Sequence, residues 1–112
     1  MSLARKPLEK DIQSQVIAWL KLHGGLPVRI NSGMLPWRDT RGKRRLCRLN
    51  SEPGCSDILC CWRGCFVAVE CKRPGKRPTA EQQSFLDLVR RQGGIAIVAH
   101  GLEDLEQLLH VE

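Results

Sequence analysis

Two apolar runs, residues 57–62 and 65–72, stand only two residues apart. That spacing limits the fold more than any other feature of the chain. Arg63 and Gly64 lie between the runs. A two-residue connection is the commonest hairpin loop, and it sets the pairing register. Trp62 then faces Cys65, Cys61 faces Phe66, Cys60 faces Val67, Leu59 faces Ala68 and Ile58 faces Val69. Asp57 falls opposite Glu70. Opposed residues share a face, with Cβ atoms about 4.5–5.5 Å apart. Side chains alternate along a strand, so Lys72 projects on that face too. Directly opposed like charges destabilise a strand pair. Two readings stand: the acids are solvated at the open end of the hairpin, or a cation sits between them. Both faces are otherwise apolar, and Lys72 joins the two acids, which favours the cation. Two carboxylates completed by water suit Mg²⁺.

The rest of the chain supplies the surroundings of this hairpin. Leu8, Ile12, Val16, Trp19 and Leu20 recur at helical spacing, predicting a helix over residues 8–23 that ends at Gly24-Gly25. Residues 27–31 form a short strand. Residues 32–56 read mostly as loop, with a strand at 45–49. A helix over 79–92 stops at Gly93-Gly94, residues 95–99 are a buried strand, and 102–109 a closing helix. The order αβ(β)ββαβα predicts an α/β fold, a mixed sheet flanked by helices. With 112 residues the chain forms one domain, its core spanning about 8–109. At 42% hydrophobic and 27% charged it is neither disordered nor fibrous. No apolar run reaches the ~20 residues of a membrane span, and MSLARKPLEK lacks the apolar stretch of a secretory signal, so the expected location is cytoplasmic.

Charge is concentrated rather than spread. Residues 38–77 hold eleven bases and four acids, and the remainder of the chain is close to neutral. One basic patch on a small domain points to a polyanion, most often nucleic acid. Six of these bases lie between Arg38 and Arg48, in a segment, 33–52, long for a loop inside a compact domain. Arg38, Arg41, Lys43, Arg44, Arg45 and Arg48 would neutralise phosphates. Trp37, beside Pro36 and Met34, either stacks on bases or packs under the loop. Arg73, Lys76 and Arg77 leave the second hairpin strand and flank the acids. The six cysteines suggest neither a disulfide framework nor a zinc site, because most fall within strand patterns, where cysteine is a small buried hydrophobe.

Three ordered segments then carry a resemblance: Gly54-Cys55-Ser56-Asp57, Glu70-Cys71-Lys72 and Thr79-Ala80-Glu81-Gln82. With Glu9 and Gln13 on the opening helix and Asn31-Ser32-Gly33 after the first strand, the chain resembles the PD-(D/E)XK nuclease superfamily. Within it, the chain is similar to a stand-alone VRR-NUC domain over residues 8 to 105. Ser56 stands where the superfamily name has proline.

The resemblance implies a restriction-endonuclease-like αβββαβ core and phosphodiester hydrolysis dependent on Mg²⁺, with Mn²⁺ able to substitute. It implies Asp57 and Glu70 as metal ligands, with the Cys71 carbonyl as a backbone ligand and Glu9 acting through water. Lys72 would orient the attacking water and stabilise charge, a role that suits a lysine beside two carboxylates better than proton abstraction. Glu9 aligns with the buried face of its helix, although an acid in a first turn also suits the helix dipole alone. Gln82 completes a Thr79-x-x-Gln82 capping box and also shares a face with Phe85, Leu86 and Val89, so it serves the cap, the site or both. The implied activity is that of a homodimeric four-way (Holliday) junction resolvase acting in repair in a phage or bacterial setting. A flap- or duplex-specific nuclease and a non-catalytic DNA-binding module of the same fold are the alternatives.

Overall fold

A computed structural model describes residues 7–30, 33–48 and 50–112, without the side chain of Arg48. Asn31 and Ser32 therefore lie outside the described residues. Helix α1 (Glu9–Leu22) precedes strand β1 (Leu26–Arg29). Strands β2 (Met34–Arg38), β3 (Arg44–Arg48), β4 (Ile58–Trp62) and β5 (Cys65–Cys71) follow. Helix α2 (Ala80–Arg91), strand β6 (Ile95–Ala99) and a 3₁₀ helix (Leu102–His110) complete the chain. The main sheet has the order β1-β4-β5-β6. The first two pairings are antiparallel and β5–β6 is parallel. Parallel neighbours need a crossover connection, which α2 provides. This is the expected αβββαβ arrangement of a mixed sheet between helices.

The β4–β5 hairpin has the register that its two-residue loop dictates, from Ile58 opposite Val69 to Trp62 opposite Cys65. Arg63 at φ +50° and Gly64 at φ +78° close it, the left-handed pair that a tight hairpin turn requires. Its period-two alternation sends Ile58, Cys60, Val67, Val69 and Cys71 to one side. There they join Ile12, Val16 and Leu20 of α1 and Leu105 and Leu108 of the 3₁₀ helix in the larger core cluster. Trp62 anchors that cluster, stacking on Trp19 at 5.7 Å and donating its indole N–H to the Leu108 carbonyl at 2.9 Å. The opposite side is smaller: α2 places Leu86 and Val89 on Ala68 and Ala96.

Two segments differ from the sequence expectation. The strand expected at 45–49 is β3, but the loop expected before it holds β2, and the two pair as a second hairpin from Met34 opposite Arg48 to Arg38 opposite Arg44. Apolar and basic residues share both strands and none of the described side chains there is buried, so hydrophobic alternation gives no signal. The closing helix is 3₁₀ rather than α. Leu102, Leu105 and Leu108 recur every third residue, and a helix of three residues per turn lines all of them up toward the core.

Candidate active site

Asp57 sits one residue before β4, where the ladder ends. Its carbonyl accepts the Ile30 N–H at 2.8 Å, and its Oδ2 accepts the Cys71 N–H at 2.8 Å. Asp57 is therefore held through its main chain beside the end of β1 and through its carboxylate at the end of β5. The Lys72 N–H bonds across to Ala99 O on β6 at 3.0 Å. Main-chain groups of successive strand residues point to alternate edges. Cys71 thus presents both its N–H and its carbonyl to the Asp57 side.

Glu70 is the only fully buried acid among the described residues, 1% exposed, and neither Oε1 nor Oε2 has a hydrogen-bond partner there. Lys72 Nζ lies 3.9 Å from Oε1. Burial, then the charge of Asp57, push the Glu70 carboxyl up to about 8, with Lys72 pulling the other way. Glu9, half-buried at the start of α1, adds its charge to both Glu70 and the neighbouring Cys71. Burial holds the Cys71 thiol above its ordinary range and raises those of Cys55 and Cys60 as well.

The N-terminus of α2 closes the far wall. Thr79 Oγ1 accepts the Gln82 N–H at 3.2 Å, and Gln82 Oε1 accepts the Thr79 N–H at 2.9 Å. Both halves of the expected capping box form, and Gln82 also lines a cavity of about 420 Å³ with Asp57, Gly54, Gly33, Met34 and Asn50. Gly54 brings this wall to the acids. At φ +70°, a Cβ there would lie 2.3 Å from the Glu81 carbonyl oxygen. Only glycine permits that approach of loop to helix. The sequence displayed Gly54 beside Asp57 but gave no sign of its contact with α2.

The residues present suit a hard divalent cation. No group of three or more His, Cys, Asp and Glu side chains gathers among the described residues. A pair of carboxylates does, one of them buried with two unpartnered oxygens, and a main-chain carbonyl lies on the same edge. Mg²⁺ is commonly held by one or two carboxylates and keeps several waters. Ser56, fully buried with its hydroxyl unpartnered, is a further polar group that sequence reasoning passed over.

The basic residues divide into two groups. Arg38, Arg41, Lys43, Arg44 and Arg45 are exposed on the β2–β3 hairpin with Trp37, which is 49% exposed. Lys76 and Arg77 are exposed in the turn after β5, and Arg73 is half-buried there. His100, also missed in the sequence, hydrogen-bonds the Arg73 carbonyl through Nδ1 at 3.2 Å.

No protein-family model and no curated protein matches the chain. A solved structure described as "VRR_NUC domain" superposes with a TM-score of 0.63 at 21% identity, covering 93% of this chain and 97% of that one. The chain therefore has the fold of a VRR-NUC domain, and its αβββαβ core is restriction-endonuclease-like.

Proposed function

We propose that this protein is a metal-dependent DNA endonuclease, and that it acts as a homodimeric four-way junction resolvase. The observation that carries the reading is Glu70: a buried carboxyl with two unpartnered oxygens, opposite Asp57 and beside Lys72. A purely structural sheet gains nothing from such a group, since burying an unpaired acid is costly. Asp57, Glu70 and the Cys71 carbonyl would hold Mg²⁺ or Mn²⁺, with Glu9 reaching it through water. The ion supplies Lewis acidity toward a phosphate oxygen and a more acidic water. Lys72 orients the attacking water and offsets charge gathering on the phosphate. Gln82 supports the wall of the site from α2. Trp37, Arg38, Arg41, Lys43, Arg44, Arg45 and Arg48, with Arg73, Lys76 and Arg77, contact the DNA.

Two features support the dimer. A four-way junction has two-fold symmetry, and cutting opposed strands calls for two sites related the same way. The sheet also has a free apolar end: α2 covers Ala68 and Ala96, while Leu26, Val28 and Phe66 on the same side are at least half exposed. That surface carries no charge in a chain of net +6, so it suits a second copy rather than a polyanion.

The deciding experiment offers labelled four-way junction, flap, duplex and single-stranded DNA with Mg²⁺ or Mn²⁺ and maps the nicks. Paired symmetric nicks on the junction are expected. Asp57→Ala should lower cleavage by about a thousandfold or more while binding persists. Cleavage of flap or duplex in preference to junction would move the protein to the alternative repair-nuclease class. Binding without any cleavage would make it a DNA-binding module.

A further inference from the structure

No described side chain of the β2–β3 hairpin belongs to either core cluster, and Met34, Leu35, Trp37 and Leu46 on it are between 49% and 65% exposed. A lone two-stranded hairpin is marginal in water, so this one needs its own means of holding shape. Asp39 provides it. Its Oδ1 accepts the N–H groups of Arg41 at 2.9 Å and Lys43 at 3.0 Å, and its Oδ2 accepts Arg45 Nε at 3.1 Å. Its own N–H reaches the Lys43 carbonyl at 3.1 Å, and its carbonyl takes the Gly42 N–H at 2.9 Å. One carboxylate thus organises the whole tip, with Gly42 at φ +77° completing the bend. Those bonds also hold the Asp39 carboxyl below its ordinary range, the Lys43 amide first among them.

The first rung below that tip sets Arg38 directly opposite Arg44, both exposed. Like charges in that position oppose hairpin formation. The tip bonds, together with Arg38 Nη1 donating to the Gly42 carbonyl at 3.0 Å, keep the pair in place. An anion lying between the two guanidiniums would relieve the repulsion, and guanidinium is matched to phosphate. The other end of the hairpin, Gly33 and Met34, lines the cavity that contains Asp57. The ribbon therefore starts at the candidate site and projects its charge away from it.

We propose that the β2–β3 hairpin is a rigid ribbon that grips the DNA backbone beside the cut, Arg38 and Arg44 sharing a phosphate and Asp39 acting as the positioning residue for both. This rests on the reading of the protein as a DNA-cutting enzyme. It makes an acid in the most basic stretch of the chain a requirement for DNA affinity.

The test measures fluorescence anisotropy of labelled four-way junction and matched duplex with the full chain in EDTA, over a range of salt. Arg38→Ala and Arg44→Ala should each weaken binding about tenfold and flatten the salt dependence by about one counterion. The double variant should fall short of the summed effects, because both side chains serve one phosphate. Asp39→Ala should also weaken binding about tenfold, although it raises the net charge. Asp39→Asn keeps an oxygen for both N–H groups and should restore most of the affinity. Thermal unfolding of all five variants should match the wild type, since the core is untouched. Asp39→Ala binding as tightly as wild type or tighter, as charge alone dictates, would overturn the proposal, as would additive arginine effects. Cleavage in Mg²⁺ is scored separately. Hairpin-dependent binding with no cutting by the wild type keeps the ribbon and removes the nuclease. Undiminished binding and cutting by the variants does the reverse.

Discussion

Glu70 holds two carboxylate oxygens in the protein interior without a hydrogen-bond donor, within reach of Asp57 and 3.9 Å from Lys72. Its carboxyl titrates near 4.5 in an unfolded chain and near 8 in the fold. The folded state therefore binds more protons than the unfolded state between those values, and stability falls as pH rises through that window. In EDTA the melting temperature should be highest near pH 5 and drop by several degrees toward pH 8. Glu70→Gln, which keeps the shape and removes the titration, should flatten that slope. Mg²⁺ competes with the bound proton, so it should raise the melting temperature more at pH 8 than at pH 5. A wild-type curve that rises toward pH 8 without metal would show that Glu70 is not held protonated.

At the scale of elements, the site depends on α2 meeting the loop before β4. Gly54 allows that meeting, with a positive φ and no room for a Cβ against the Glu81 carbonyl. Gly54→Ala should cost about 1–3 kcal/mol in urea unfolding. It should also displace Asp57, three residues on, and lower cleavage more than the stability loss explains. The hairpin β4–β5 and the cap of α2 are different in kind. Their residues interact within a few positions of one another, and each was legible beforehand: the register from the two-residue loop, the cap from Thr79 and Gln82. Of the β2–β3 hairpin only the second strand was. Its strands, Met-Leu-Pro-Trp-Arg and Arg-Arg-Leu-Cys-Arg, do not alternate apolar with polar residues, and no buried face distinguishes one side from the other. The Asp39 tip that makes it a hairpin reads in sequence as one acid among five bases.

For the whole molecule, the same side of the sheet carries the acids at one end and the bare apolar patch at the other. The proposed dimer follows from that patch. Val28 is 52% exposed, so Val28→Glu should leave the fold intact. It should convert a dimer in sedimentation to the 12.7 kDa species and uncouple the paired nicks on a junction. A wild type that sediments only at 12.7 kDa, also with junction bound, would rule the symmetric resolvase out. The concentration of charge agrees with this division of surfaces: the β2–β3 hairpin and the turn after β5 take most of the central bases, and Leu26, Val28 and Phe66 form an apolar patch.

By itself, the sequence determined the strand pairing that sets Asp57 opposite Glu70, the order of elements and the resemblance to VRR-NUC domains. The pairing and the order follow from local periodicity and short spacing, which a single chain segment carries in full, and the resemblance rests on three short ordered segments. Tertiary structure alone decided the burial of Glu70, the approach of Gly54 to α2, the uncovered end of the sheet and the free-standing ribbon held by Asp39. Solvent exclusion and close approach are made by segments distant in sequence. No residue's identity states which distant partner will remove it from water.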